Sequence, residues 1–348
     1  MDNVPVYTYD KDVDILYISF SPGEKATTAI EGNTLTEEEV VRRMNGQLEL
    51  PLSKEYLGKE VDNILEACES ILNKRSKAPD IATVTLAMIV EFNRIALNGL
   101  KLEEGVRPGK IREHSVGVGG YRAAPHADCE FLLKKLCEWL NGPAFAPPEP
   151  NMKLPYTFIK AIIAHLYIAW IHPFGDGNGR TARLLEYFIL VDAGVPSPAS
   201  HLFSNHYNET RAEYYRQLQR ASQSGGEIAP FIEYATNGFV EGLRSQLETI
   251  RAQQWFVAWR DYVNEAFENQ TSEAAHRRRQ LILDLSVSTE PVPRSQLLNL
   301  SPMVAKAYAK KTSKTLSRDL NILEEMDLVG KKGHSYYARK GKILAFLP

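Results

Sequence analysis

A chain of 348 residues, 44% of them hydrophobic, can bury a large core and suggests about two or three domains. Net charge is near zero, 41 basic residues against 43 acidic, but it is unevenly spread: residues 271–348 hold 14 Lys plus Arg against 7 Asp plus Glu, and the remainder 27 against 36. A basic tail on an acidic body points to a separate task for the tail. Three cysteines (Cys68, Cys129, Cys137) show no metal spacing, and an odd, unpatterned count fits a reducing cytosol, so a cytoplasmic location is expected. Met1 to Asp14 mixes acids with tyrosine and valine and excludes a signal peptide. No apolar run reaches the ~18 residues of a membrane span, and Ala161–Trp170, which comes closest, is too short, so no membrane partner is expected.

In chain order, residues 7–20 have strand-like composition with partial alternation. In Thr27-Thr28-Ala29-Ile30-Glu31-Gly32-Asn33 a glycine after one helical turn reads as a C-cap. By pattern alone Glu31 is then a solvated helix-end carboxylate. Thr36 followed by Glu39 predicts a capping box opening the next helix. Residues 55–75 and 80–100 carry apolar side chains at helical spacing, Val61, Ile64, Leu65, Cys68 and Ile71, then Val84, Met88, Ile89, Phe92 and Ile95, with Gly99 closing the second. Residues 107–125 break that period, and alternation at Val116 and Val118 with glycines between suggests a short hairpin. A helix resumes over 127–140 with Phe131, Leu132, Leu136 and Leu140 expected inward. Residues 155–171 are almost continuously apolar and predict a central, buried helix. It must stop near His172, because Pro173 disfavours a helical residue before it. Helices follow over Arg180–Ala193, Tyr207–Gly226 and Pro230–Phe256.

The composition shifts near residue 270. Arg277 to Leu285 and Thr312 to Met326 read as helices, and a third is expected from Pro291 to Leu298. Leu328 to Arg339 reads as a basic-tipped hairpin. Three helices with a two-stranded wing form a winged helix-turn-helix, which suggests DNA as a partner of residues 270–348. Lys314 and Arg318 then lie near a groove, with Lys331 and Lys332 on phosphate. The bland alternative is a module for protein contacts.

The chemistry concentrates in His172-Pro173-Phe174-Gly175-Asp176-Gly177-Asn178-Gly179-Arg180-Thr181-Ala182-Arg183, which joins two buried helices. Gly177, Asn178 and Gly179 precede a helix, so their N–H groups and the helix dipole favour an anion, and glycine lets it come close. Arg180 and Arg183, three apart, can hold a polyphosphate. Asp176 is too near that cradle to bind phosphate itself and fits better as a ligand to Mg²⁺ bridging phosphate oxygens. His172 can act as general base toward a hydroxyl. Phe174 is expected to turn inward. No Gly-Lys-Ser/Thr follows, so this is not a Walker loop.

Those twelve residues resemble the signature of Fic-domain proteins, His-x-Phe-x-Asp/Glu-Gly-Asn-Gly-Arg-x-x-Arg, with every defining position filled, and the resemblance extends over about residues 25–240. It implies a mainly α fold, a Fic-type helical bundle with a short β-hairpin flap, here followed by the small C-terminal winged helix. The implied division is an N-terminal region with an inhibitory helix at 1–105, a catalytic core at 106–265 and the winged helix at 270–348. It implies a protein adenylyltransferase moving AMP from ATP to a Ser, Thr or Tyr hydroxyl of a target protein, itself included, with Mg²⁺. His172 is the implied catalytic base and Asp176 the metal ligand. Gly177, Asn178, Gly179 and Arg180 cradle the α- and β-phosphates, Arg183 holds the γ-phosphate, and Thr181 and Ala182 complete the nucleotide-binding run. Val118, Gly119, Gly120 and Tyr121 are the implied flap, aligning the target by strand addition. Tyr214 and Tyr215 resemble a Tyr-Tyr pair lining the nucleotide pocket, although Ser222 stands where some relatives place asparagine.

The resemblance also changes the reading of Glu31. Thr27-x-x-x-Glu31-Gly32 matches the Ser/Thr-x-x-x-Glu-Gly/Asn motif of Fic proteins that inhibit themselves in cis, implying that Glu31 pairs with Arg183 and occupies the γ-phosphate position. In some relatives the same glutamate positions a water that removes AMP, so a hydrolase or a bifunctional enzyme is the alternative. A Doc-type kinase is disfavoured, because that branch carries lysine where this chain has Gly179. The non-enzyme alternative is a nucleotide-responsive DNA-binding regulator. The target, the donor if not ATP, and a homodimer are left open.

Overall fold

The computed structural model describes residues 6–10, 15–19, 27–77, 83–118 and 121–346. The chain divides into two compact units, residues 1–246 and 247–348. The first opens with an antiparallel hairpin, β1 (Val6–Asp10) and β2 (Ile15–Ser19), with Tyr7 opposite Ile18. One helical turn at 27–29 follows and ends at Gly32, whose φ of 104° is left-handed backbone open to glycine. The helices are α1 (Glu37–Met44), α2 (Glu55–Lys77), α3 (Leu86–Ala96), α4 (Cys129–Leu140), α5 (Lys153–Ile171), α6 (Asn178–Asp192), α7 (Ser197–Ser200), α8 (Leu202–Glu209), α9 (Arg211–Gln223) and α10 (Ala229–Ala266). Between α3 and α4 lies a hairpin of β3 (Gly117–Val118) and β4 (Tyr121–Arg122), with Val118 opposite Tyr121. Gly119 and Gly120, expected in the flap, lie outside the described residues.

Local chemistry explains the boundaries. The expected capping box at α1 is present: Glu39 N–H donates to Thr36 Oγ1 at 3.2 Å, and Thr36 N–H to Glu39 Oε2 at 2.7 Å. Thr85 caps α3 by accepting from Met88 N–H at 3.2 Å. Within the bundle α6 is the enclosed helix, packed by α5, α3 and α2. Helix α5, expected to be apolar all round and buried, leaves Leu154 and Ile159 exposed. It is nonetheless long and apolar enough, by length and composition, to cross a membrane. The expected absence of such a stretch counted only uninterrupted apolar runs, and here Thr157, Lys160 and His165 punctuate the run. Burial of Ala161, Ile162, Leu166 and Ile168 makes α5 a core helix. Residues on both sides of position 105 share that core, from Ile30 and Ile64 to Phe231 and Phe239.

Three expectations about elements of the first unit change. In α4, Phe131 is 61% exposed and Leu133 is fully buried. The inward stripe is Cys129, Leu133, Leu136, Cys137 and Leu140, spaced by three and four, and Phe131 falls off it. Helix α6 begins at Asn178 rather than Arg180, because Gly177 adopts φ 75° and serves as the cap. The single helix expected over 207–226 is two, α8 and α9, broken at Thr210.

The second unit comprises α11 (Glu273–Val287), β5 (Val292–Pro293), α12 (Pro302–Tyr308), α13 (Ser313–Glu325), β6 (Val329–Lys332) and β7 (Ser335–Ala338). The strands form one antiparallel sheet in the order β5-β7-β6. The helix expected at Pro291–Leu298 is instead β5 and a 3₁₀ turn over Arg294–Asn299. Pro293 drives Val292 extended, and Val292 pairs with Tyr336. Helix α10 supplies Phe231, Ala235 and Phe239 to the first core and Trp259 and Val263 to the second.

Because Leu133 and Phe131 share one helix, they separate burial from helix propensity. Leu133→Ala should cost about 2–5 kcal/mol and Phe131→Ala less than about 0.5 kcal/mol, read as shifts of the unfolding midpoint in denaturant. Equal effects would refute the observed face of α4.

Candidate functional site

The site is built where α5 ends and α6 begins. His172 is the C-cap of α5 with φ 50° and ψ 58°, left-handed values that histidine tolerates better than most residues. Its N–H still donates to Ile168 O at 2.9 Å. A helix end leaves carbonyls without intrahelical donors. Here Arg112 supplies them: its Nε donates to His172 O at 2.7 Å and its NH2 to Ile171 O at 3.4 Å. The same guanidinium donates to His114 O at 2.6 Å and to Ala124 O at 2.5 Å, the two approaches to the β3–β4 hairpin. Arg112 is buried, and no carboxylate pairs with it among the described residues. One cation thus ties the hairpin base to the backbone of the candidate base, where it also complements the dipole of α5.

The loop after His172 is closed from within. Phe174 is buried, as expected, and its backbone bridges Ile111. Arg112 N–H donates to Pro173 O at 2.9 Å. Asn178 clasps Phe174 twice, accepting its N–H at 2.9 Å and donating to its carbonyl at 2.8 Å. The Asn178 side chain is therefore committed to the loop, and only its N–H is available to an anion. Asn93, from α3, donates to Asp176 O at 3.0 Å and to Thr181 Oγ1 at 3.2 Å, and accepts from Gly109 N–H at 2.9 Å. Thr181 Oγ1 in turn donates to Gly177 O at 2.8 Å, and Ala182 is fully buried. Both side chains expected to complete the nucleotide-binding run face the protein interior. The N–H groups of the first turn of α6 remain directed along the helix axis, with the positive end of the dipole behind them.

Both arginines are buried and held by carboxylates. Arg180 donates from NH1 to Glu60 Oε1 and from NH2 to Asp176 Oδ1, each at 3.1 Å. Asp176 is itself about half exposed and also accepts from Gly177 N–H. Arg183, 1% exposed, pairs with Glu31 and donates from NH2 to Thr27 O at 2.8 Å. Its Nε and NH1 are buried without hydrogen-bond partners among the described residues. Burial of the Glu31 carboxyl opposes ionisation, but Arg183, with help from Arg180 and Arg211, outweighs that and holds it below its usual range. A Cβ at Gly179 would run into the Glu31 carboxylate and crowd Arg183, so glycine there is a packing requirement of this arrangement.

Burial pushes the His172 imidazole below its ordinary pKa, and Arg112 adds to the effect; the contact with Ala169 O and the anions Glu31 and Asp176 oppose it. Nδ1 lies 3.3 Å from Ala169 O, so a proton there leaves the Nε2 lone pair free.

Tyr214 and Tyr215 diverge. Tyr214 is buried, stacked on Tyr207 at 4.8 Å, with its hydroxyl 2.9 Å from His165 Nε2. His165 Nδ1 lies 3.2 Å from Glu186, which also accepts from Tyr207 at 3.0 Å. Burial raises the Tyr214 pKa far above the usual value, so it is a neutral wall residue. Tyr215 is 46% exposed and donates to Ile30 O at 3.5 Å. Side chains of Val118 and Tyr121 lie outside the described set, and only their backbone pairing is placed.

Three residues at the site were not singled out in the sequence. Asn93 had a signal, a polar residue inside the apolar stripe of α3. Arg112 had a weaker one, a cation in a stretch of broken helical period. Glu60 had none, because its partners are 27 and 120 residues away.

Residues 83–190 match the model of the Fic/DOC family. The chain is 32% identical over 212 residues to protein adenylyltransferase fic-1 of Caenorhabditis briggsae, covering 60% of this chain and 37% of that protein. It is 31% identical over 213 residues to protein adenylyltransferase Fic of Nematostella vectensis, covering 60% and 44%. The chain thus spans less than half the length of these relatives. In fold it resembles the crystal structure of a Fic family protein from Desulfovibrio desulfuricans, with TM-score 0.53, 20% identity, and coverage of 91% of this chain and 85% of that one.

The charges around His172 give signed expectations. Its titration midpoint, followed by side-chain NMR, should lie below the ordinary histidine value of about 6.5. Arg112→Met removes a cation and should raise the midpoint; Glu31→Gln removes an anion and should lower it further. Shifts in the opposite directions would show that the local field is misassigned.

Proposed function

We propose that this chain, whose residues 83–190 match the Fic/DOC family model, is a protein adenylyltransferase that moves AMP from ATP to a hydroxyl of a target protein and is held off by its own residues 27–33. The observation that carries the reading is the buried Arg183 at the anion-ready start of α6, occupied by a carboxylate from the same chain and left with two donors unpaired among the described residues. A guanidinium buried this way calls for a polyanion, and Glu31 stands in for one.

The proposed chemistry follows from the chain's own groups. With Nδ1–H directed at Ala169 O, His172 Nε2 takes the proton from the target hydroxyl. The oxygen attacks the α-phosphorus of ATP, the bond from that phosphorus to the β-phosphate oxygen breaks, and pyrophosphate leaves. The N–H groups at the start of α6 bind the phosphate oxygens, and Arg180 and Arg183 neutralise their charge. The low pKa of His172 keeps it a base at neutral pH.

Mg²⁺ fits this donor set. No cluster of three or more ligating side chains exists among the described residues, and Asp176 presents one half-exposed carboxylate beside the cradle. Mg²⁺ commonly binds through one or two carboxylates, water and substrate phosphates. Asp176 would hold it, and the ion would neutralise charge on the phosphates.

Inhibition uses two latches in this reading. Glu31 takes Arg183 and blocks the place of the terminal phosphate. Glu60 divides its oxygens between Arg180 at 3.1 Å and Asn33 at 2.9 Å, tying the segment that carries Glu31 to the other arginine. Polyphosphate arriving at either guanidinium competes with a carboxylate of this system. Residues 247–348 stand outside the reaction, and we read their three helices and three-stranded sheet as a winged helix.

Transfer from ATP labelled on the α-phosphate, with modified proteins identified by mass spectrometry, tests the proposal. Glu31→Gly should raise auto-modification at least about tenfold, a barrier change of ~1.4 kcal/mol. His172→Ala in that background should lower it by at least about 100-fold. No transfer of that label, with transfer instead from ATP labelled on the γ-phosphate in a parallel reaction, would make the protein a kinase, and no response to Glu31→Gly would remove the inhibitory role.

A further inference from the structure

The unit 247–348 keeps most of its paired acids away from one face and leaves its bases on that face unpaired. Asp319 is buried, 2.8 Å from Arg277, 3.7 Å from Arg278 and 2.9 Å from the Tyr308 hydroxyl. Asp327 pairs with Arg339 and Lys342, and Asp284 accepts from Ser301. By contrast Lys310, Lys311, Lys314, Arg318, Lys331 and Lys332 are exposed, and none of them has an ion pair among the described residues. Coulomb repulsion among like charges disfavours such a surface in isolation, so it calls for an anionic partner.

The fold brings these bases together. In α13 the residues Leu316, Leu320 and Leu323 are buried. Lys314, Arg318 and Asn321, spaced by four and three, share the outer face. Lys310 and Lys311 immediately precede that helix. Arg294 joins it to the tip of the β6–β7 hairpin: its N–H donates to His334 O at 3.2 Å, while its guanidinium donates to Ser313 O at 3.2 Å and to Ser317 Oγ at 2.6 Å. One residue, through its backbone N–H on one side and its guanidinium on the other, therefore links the hairpin turn to the first turns of α13. The acids Glu324 and Glu325 lie at the other end of α13, about 15 Å along the axis from Lys314 at 1.5 Å per residue.

We propose that this face binds double-stranded DNA, with the outer face of α13 in the major groove and the β6–β7 tip against the flanking phosphates. An exposed polar helix fits a groove about 12 Å wide, and a hairpin tip beside its N-terminal end meets backbone. Single-stranded nucleic acid wants an aromatic platform, and a protein partner an apolar centre. Neither lies on α13, since none of the exposed large apolar side chains among the described residues belongs to it. Lys314, Arg318 and Asn321 are the side chains placed to reach base edges; Lys331 and Lys332 hold phosphate.

Fluorescence anisotropy of the full chain with a labelled random-sequence duplex of about 24 bp tests this, since two helical turns cover one such unit. At about 50 mM salt the duplex should bind, and the log–log dependence on salt should have a slope of about −4, for four to six neutralised phosphates. Lys331→Gln with Lys332→Gln should reduce that slope by about 2. Lys314→Glu with Arg318→Glu should weaken binding at least about tenfold. Circular dichroism confirms that each variant is folded, and the milder Lys314→Gln with Arg318→Gln replaces the charge reversal if it is not. His172→Ala should bind like the parent, which keeps this proposal separable from the catalytic one. Absence of binding at low salt, equal binding by the variants, or tighter binding to a single-stranded RNA of the same length would overturn it.

Discussion

The first unit is arranged around the burial of Arg183. A guanidinium removed from water is costly unless charges and acceptors surround it. Glu31 and Thr27 O meet part of that need, and Nε and NH1 have no further partners among the described residues. The helical turn at 27–29 is thereby attached to α6, with Ile30 fully buried beneath it. In the proposed function the same requirement would make the site responsive, since an anion that satisfies Arg183 more fully than one carboxylate would compete with Glu31. The placement of Gly179 against that carboxylate shows how little room the arrangement leaves.

A second constraint is backbone accounting between α5 and α6. A left-handed His172, a proline and a left-handed Gly177 turn the chain sharply, and each turn strands polar backbone groups. Arg112 donates to the carbonyls of 171 and 172, Asn178 clasps residue 174, and Asn93 holds 176 and 109. Three side chains thus do for this loop what a ladder does for a strand. Because Arg112 also donates to carbonyls on both approaches to the β3–β4 hairpin, one guanidinium joins the hairpin base to the carbonyl of the proposed base. The core network of Glu186, His165 and Tyr214 supports the opposite wall in the same manner.

Much of this was legible in residue order. The capping box at Thr36 and Glu39, the end of α5 before Pro173 and the inward Phe174 each depend on neighbours within a few residues. The anion-ready loop was equally visible, since glycine, a helix start and two arginines carry their chemistry locally. The failures share one cause. Phe131 was expected inward because it is apolar, yet the face of α4 is chosen by what packs against it, and that selected Leu133. Pro291 to Leu298 looked helical until Val292 found Tyr336 as a strand partner 44 residues on.

Local order, then, determined the types of most elements, the phosphate-directed loop and the two motifs that carry Glu31 and Arg183. That those two side chains meet, across 152 residues, was implied by the motif resemblance but not fixed by local order, and tertiary structure alone decided that Glu60 joins Arg180 to Asn33. It also decided that the side chains of Asn178 and Thr181 hold the loop rather than face a ligand. The reason is one of range. Capping, propensity and glycine torsions act over a single turn, whereas a buried charge is satisfied by whatever carboxylate or carbonyl the packed helices bring to it.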